Sequence, residues 1–224
     1  MKKFAVAVDG PAGSGKSTVA KEIAKALGIL YIDTGAMYRT VGMACLKKGI
    51  NPADEEAVVA SLDSLDMKIF PEAGGQRILL DGEDITSRIR TEEIGKAASS
   101  VGAYQKVREK LVEIQQGLAK EQSVIMDGRD IGTTVFPNAE LKIFVTATPE
   151  IRAQRRYDEL KAKGQKASFD EILENVKQRD YIDQHREVSP LRKADDALLL
   201  DNTELTIQQQ KEWLFNQYNQ RTKA

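Results

Sequence analysis

The sequence predicts an α/β fold: a three-layer arrangement of a parallel sheet flanked by helices, with a small antiparallel sheet inserted into it. Three observations predict this. Short apolar runs at residues 4–8, 30–32, 124–126, 141–145 and 197–200 alternate with longer stretches that carry apolar residues at helical spacing. Three of those runs stop at an aspartate: Asp9, Asp33 and Asp127. From about residue 63 the texture changes to short alternating segments punctuated by glycine, which is hairpin grammar rather than crossover grammar.

Residues 4–8, bounded by Asp-Gly-Pro, read as a buried parallel strand. A helix follows Lys16, with Val19, Ile23 and Leu27 on one face and Gly28 placed to end it. Residues 30–32 form the next strand, and residues 37–48 are helical in pattern. Met67 and Ile69 alternate with polar neighbours, Gly74-Gly75 interrupts, and residues 78–80 run into Asp81-Gly82, a strong hairpin signal. Residues 65–89 therefore read as the small antiparallel sheet. Val101, Val107, Leu111, Ile114 and Leu118 suggest one long helix with a single apolar stripe. Two further strands follow at residues 124–126 and 141–145, then charged helices at 151–163 and 169–184. A last strand spans 197–200 and a last helix 207–218. Strand–helix alternation implies right-handed crossovers, and ligands of such sheets sit at the carboxyl ends of the strands. Asp9, Asp33 and Asp127 should share that edge.

A chain of 224 residues suits one domain with a modest insertion. Lys+Arg (33) and Asp+Glu (34) nearly cancel, for a formal net charge of −1. No global basic field argues for a nucleic-acid polymer, so any anionic ligand must be held by a local cation cluster. Cys45 is the only cysteine; it excludes an intrachain disulfide and, among Val41, Met43, Ala44 and Leu46, reads as a buried thiol. No run approaches the length of a membrane span, and residues 4–8 are too short for a secretory signal core. The expectation is a cytoplasmic, monomeric protein.

Gly10, Pro11, Ala12, Gly13, Ser14, Gly15, Lys16, Ser17 and Thr18 contain G-x-x-x-x-G-K-[ST] without a gap, between a predicted strand and a predicted helix. Glycines let backbone N–H groups wrap an anion, and the helix start adds its positive end. The Lys16 ammonium can reach β- and γ-phosphates, and the Ser17 hydroxyl can ligate Mg²⁺. The motif implies a nucleoside triphosphate but leaves the reaction open among switches, motors and kinases. An N-K-x-D segment, which a guanine-dependent switch needs, is absent.

Arginines are instead abundant near the predicted loops and charged helices: Arg39, Arg108, Arg129, Arg152, Arg155, Arg156, Arg179 and Arg186. Singly, Arg152 or Arg156 fits a solvated helix face. Arg129, in Asp127-Gly128-Arg129-Asp130 directly after a buried strand, is poorly explained by packing. Phosphoryl transfer between nucleotides gathers many negative charges, and guanidinium forks suit them. Asp127 is the candidate carboxylate for Mg²⁺, acting through water.

GPAGSGKST (10–18), DTGAMYR (33–39), KAASSVGAYQKVRE (96–109), DGRDIGTTVFP (127–137) and RDYIDQHREVSPL (179–191) resemble the bacterial cytidylate kinases, of the P-loop nucleoside monophosphate kinase family. The resemblance covers essentially the whole chain and includes the inserted sheet. It implies a single P-loop kinase domain, 1–224, with a core of about 1–40, 100–150 and 190–224, a monophosphate-binding insert of about 63–92 and a mobile lid of about 152–188. It implies ATP as donor, CMP or dCMP as acceptor, and direct in-line transfer with Mg²⁺. By the same resemblance Thr34, Tyr38 and Arg39 belong to the acceptor site, and Ser99, Arg108 and Asp130 read cytosine. Arg129, Arg179 and Arg186 clamp phosphates, Asp183 contacts the sugar, and Arg155 and Arg156 belong to the lid over ATP. The chemistry agrees: a carboxylate accepts from the cytosine N4 amine and would face lone pairs in uracil. His185 receives no catalytic role.

Overall fold

A computed structural model describes residues 3–72, 75–120 and 122–222. The apolar runs become β1 (Ala5–Asp9), β2 (Leu30–Asp33), β6 (Val124–Gly128), β7 (Leu141–Thr146) and β8 (Leu198–Asp201). They form one parallel sheet in the order β2-β6-β1-β7-β8. The register sets Asp33 beside Asp127 and Asp9 beside Gly128, so the three aspartates meet at one edge. Side chains alternate between faces. Val6 and Val8 pack with Ile125, Ile143, Ile23 of α1 (Lys16–Leu27) and Leu214 of α8 (Ile207–Thr222). Ala7, Ile32 and Met126 pack on the other face with Ile131 and Val135. That gives the three layers.

The inserted sheet is β3 (Met67–Glu72), β4 (Gly75–Leu80) and β5 (Glu83–Asp84), all antiparallel. The turn between β4 and β5 is Asp81-Gly82, both at positive φ (52° and 79°), the conformation a two-residue hairpin needs. Gly74, half of the expected glycine interruption, lies outside the described residues. Ile78, Leu80, Ile85 and Ile89 pack onto Met43 and Ala44 of α2 (Thr34–Lys47), so the insert sits on that helix. Cys45 is buried beside them in the next cluster, among Met37, Val41 and Val58. A short helix, α3 (Glu55–Ser61), capped by Asp54, joins α2 to the insert and carries only one fully buried residue, Val58. So brief a stripe left no readable period.

The long helix expected across residues 101–118 is two helices, α4 (Glu92–Val101) and α5 (Gln105–Ala119). The chain breaks at Gly102-Ala103-Tyr104, where the Tyr104 hydroxyl donates to the Pro52 carbonyl at 2.9 Å. The break frees the Gly102 carbonyl, which accepts from Arg108 Nη1 at 3.1 Å. The charged helices are α6 (Pro149–Ala162), started by Thr148 and proline, and α7 (Phe169–His185), capped by Ser168. Among the described residues no helix is long and apolar enough to cross a membrane.

Candidate active site

The nest opens where β1 ends. Gly10 has φ 154°, and a Cβ there would overlap the Val145 carbonyl oxygen of the neighbouring strand; only glycine lets the chain turn so tightly. α1 begins at Lys16, whose ammonium is buried and donates to the Pro11 carbonyl at 3.0 Å. Burial, reinforced by nearby Arg129 and opposed by Asp127 and Asp33, lowers the Lys16 pKa to about 7. The Ser14 hydroxyl is buried with no hydrogen-bond partner. Two long-range side chains hold the nest from outside. Asn202, just beyond β8, donates to the Ser14 carbonyl at 2.8 Å, and Arg152 Nη1 donates to the Ala12 carbonyl at 3.1 Å.

Asp127 lies beneath the nest. Its carboxylate accepts from Ser17 Oγ and from the Tyr31 hydroxyl, each at 2.7 Å, and its carbonyl accepts from Thr34 Oγ1 at 2.7 Å. Burial and the neighbouring Asp33 push the Asp127 carboxyl up; burial and Asp127 push the Tyr31 hydroxyl up. The Ser17 proton points at a carboxylate, which leaves its lone pairs for a cation. Hydroxyl and carboxylate oxygens are hard donors of the kind Mg²⁺ takes, and the paucity of protein ligands suits an ion that keeps water and phosphate oxygens. No group of three or more His, Cys, Asp or Glu that could hold a metal occurs among the described residues.

Opposite the nest, the structure gathers seven of the singled-out arginines and carboxylates. Arg108 and Asp130 form an ion pair with side chains only 4% and 5% exposed. Arg186 stands 3.6 Å from the other Asp130 oxygen. The Arg108 guanidinium lies 5.6 Å over the Tyr38 ring. Arg129 Nε donates to Asp183 at 2.7 Å. Burial would push the Asp183 carboxyl up, but Arg129, Arg186 and Arg179 together outweigh it and hold the carboxyl below its ordinary range. Arg179 is half-buried near Arg129, and burial first, then repulsion from Arg129, brings its pKa down to about 10. Arg39 Nη1, Arg108 Nε, Arg179 Nε and Arg186 Nη2 are buried and lack hydrogen-bond partners. Their nitrogens are donors awaiting an acceptor.

Ser99 lies on α4, its hydroxyl turned back to the Gly95 carbonyl at 3.2 Å. Arg155 forks onto Asn202, at 3.1 Å to Oδ1 and 2.9 Å to the carbonyl, which puts it beside the nest. Arg156 is not brought into the cluster; it pairs with Glu159 along α6 at 2.8 Å. His185 stacks on Tyr181 with ring centroids 4.1 Å apart.

Sequence reasoning put Asp9 at this edge and named Arg152 among the arginines but assigned neither a partner, and it missed other members. Asp9 accepts from the backbone N–H groups of Ile131 and Gly132, both at 2.7 Å, at the start of a wide turn (Ile131–Val135) that follows Asp130. Arg152, which a solvated face would also have explained, is buried and bidentate to Asp180. Arg90 pairs with Asp33 at 2.9 Å. Tyr31, Gln76 and Asn202 were not singled out at all. Strand-end position is a signal that finds Asp9 and Asn202; the others depend on contacts across the chain.

The chain matches the family Cytidylate kinase over residues 6–220. It is 57% identical to a cytidylate kinase of Bacteroides thetaiotaomicron, covering 97% of each chain. It is 53% identical to one of Caldicellulosiruptor saccharolyticus, covering 93% of this chain and 92% of that one. In fold it resembles the crystal structure of an uncharacterized protein from Eubacterium ventriosum, with a TM-score of 0.51 at 11% identity over 98% of this chain and 99% of that chain. Identity this high over nearly the full length leaves one conclusion, that the chain belongs to the cytidylate kinase family and is a nucleoside monophosphate kinase.

Proposed function

We propose that the chain transfers the terminal phosphoryl group of ATP to CMP or dCMP, giving ADP and CDP or dCDP. The observation that carries this reading is the set of buried guanidinium nitrogens without hydrogen-bond partners on Arg39, Arg108, Arg179 and Arg186, in a chain of this family that also carries a complete phosphate nest. An attacking acceptor phosphate is already a nucleophile at neutral pH, so the protein's work is alignment and charge stabilisation.

In this reading residues 10–18 hold the ATP phosphates, and Lys16 follows the transferring group. Arg39 and Arg129 hold the acceptor phosphate in line with it. Arg179 and Arg186 spread cationic charge over the equatorial oxygens, and Asp183 accepts from the sugar hydroxyls. Ser99, Arg108 and Asp130 read the base, with Tyr38 against it. Ser17 and Asp127 are the residues that would hold Mg²⁺, the latter through water; when bound it neutralises the β- and γ-phosphate oxygens. Arg155 and Arg156 close over the donor within a lid of about 152–188. Closure excludes water and so limits ATP hydrolysis. In the same reading the core takes in about 1–40, 100–150 and 190–224 and the insert about 63–92, and the protein works as a monomer in the cytoplasm.

A coupled ADP-release assay over CMP, dCMP, UMP, AMP and GMP tests the reading. CMP and dCMP should exceed UMP in kcat/KM by about tenfold or more, because a site that hydrogen-bonds the N4 amine leaves its own polar groups unpaired with uracil. A preference for UMP or AMP would overturn the base assignment.

A further inference from the structure

One contact between the insert and the acceptor crevice has no role in the scheme above. β2 is the edge strand of the parallel sheet, so its outer peptide groups lack a neighbouring strand. Asp33 closes that strand and is buried, and buried peptide groups need partners. The Gln76 side chain supplies both. Its Oε1 accepts from the Asp33 N–H at 3.0 Å, and its Nε2 donates to the Asp33 carbonyl at 3.0 Å. The amide reproduces one rung of a sheet, reaching from β4 of the insert to the last residue of β2.

Asp33 is well placed to pass this on. Its Oδ1 caps α2 by accepting from the Ala36 N–H at 3.0 Å, and α2 carries Thr34, Tyr38 and Arg39. Its Oδ2 pairs with Arg90 at 2.9 Å and lies 3.8 Å from Arg39. The insert thus grips one residue twice: on the backbone through Gln76, and on the carboxylate through Arg90. The grips differ in kind. Arg90 is 59% exposed and charged, so an incoming anion competes for it, whereas a neutral amide bonded to a peptide group does not respond to charge. The donor nest follows β1, two strands away from β2.

We propose that Gln76 is a positioning residue for the acceptor nucleotide: its amide clamp on Asp33 fixes the insert against the first turn of α2 and acts on CMP without acting on ATP. This rests on the crevice being the acceptor site, so wild-type turnover of CMP is measured alongside. If the wild type does not phosphorylate CMP, the functional reading fails; the clamp is judged only where it does.

Gln76→Met keeps the side-chain length and removes the amide, and Gln76→Ala removes both. Each should raise KM for CMP at least about fivefold, with KM for ATP and kcat within twofold of wild type; this size corresponds to about 1 kcal/mol, that of a modest hydrogen-bond loss. An unchanged KM for CMP in Gln76→Met overturns the proposal. So does a parallel rise in both KM values, which would mark general loosening. The wild-type protein gives a check that needs no variant. Its Gln76 side-chain amide resonances should shift when CMP binds and stay in place with a non-hydrolysable ATP analogue alone; no shift with CMP, or equal shifts with both, overturns the proposal.

Discussion

Arg108 and Asp130 answer one another inside the protein before any ligand is present. Arg108 also donates to the Gly102 carbonyl, and Arg186 approaches Asp130 from the far side. Asp130→Ala leaves buried guanidinium charge without its partner, which should cost about 3–5 kcal/mol in urea unfolding. Asp130→Asn keeps an acceptor oxygen and should cost less, while lowering the CMP-over-UMP ratio of kcat/KM more than it changes KM for ATP. An unchanged ratio in Asp130→Asn would remove Asp130 from base reading. Asp9 carries a different signature. Burial raises its pKa to about 7, although the Ile131 and Gly132 N–H groups pull the other way, Asp130 adds to the rise and Lys16 opposes it. A carboxyl whose folded pKa lies above its unfolded value of about 3.9 stabilises most at low pH, and that share is lost as pH rises to about 7. Asp127 has the same sign. Asp9→Asn should therefore flatten the fall in unfolding free energy between about pH 4 and pH 7, whatever its effect on the absolute value. Urea titrations at pH 5, 6 and 7 measure it, and a slope equal to wild type would contradict the assignment.

At the scale of elements, α6 and α7 are joined by one buried fork. Arg152 donates to Asp180 on α7 at 2.9 Å, to the Ala147 carbonyl at 2.9 Å and to Ala12 in the nest at 3.1 Å. Losing either partner strands the other, so Asp180→Ala should destabilise by roughly 3 kcal/mol, or about 6–12 °C in Tm for a chain of this size. The double variant Arg152→Met/Asp180→Leu should recover more than half of that, because an apolar pair leaves no stranded charge. Failure to recover would mean that the carbonyl contacts, not the ion pair, carry the stability. This fork also shows where reading the sequence stops. Strands bounded by Asp and Gly are local patterns, and the five parallel strands and the Asp81-Gly82 hairpin were legible. The break at Gly102–Tyr104 was not, because the apolar stripe runs through it and the Tyr104–Pro52 contact that supports it spans 52 positions. Arg152 has the same surroundings in sequence as a solvated arginine. Its burial is set by Asp180, 28 positions on, and Ala12, 140 positions back. The wide turn at Ile131–Val135 is likewise set from a distance, by Asp9.

Across the whole molecule, charge is nearly balanced, yet cations are concentrated at the edge where the strands end. Lys16, Arg39, Arg179 and Arg186 all have their pKa lowered by burial first, and each also by at least one neighbouring arginine. Asp33 and Asp183 offset part of this, with both carboxyls held below their ordinary range by arginines. The free protein therefore carries repulsion at the place where phosphates are expected, and function there opposes stability. Arg179→Met should raise the Tm of the free protein, since a cation with a folded pKa of about 10 against an ordinary 12.5 is disfavoured by folding at neutral pH. The rise should be about 2–8 °C, from 1–2 kcal/mol over a chain of this length. Inorganic phosphate should do the same by another route. With a dissociation constant on the order of 1 mM, 50 mM phosphate adds about 2 kcal/mol to the folded state, or about 4–8 °C beyond chloride at matched ionic strength. The two effects should not add, because the variant removes part of the field that draws the anion in. Differential scanning fluorimetry of both proteins in both salts measures all four terms. Equal phosphate stabilisation of Arg179→Met and wild type would place the anion elsewhere and leave Arg179 outside the cationic crevice.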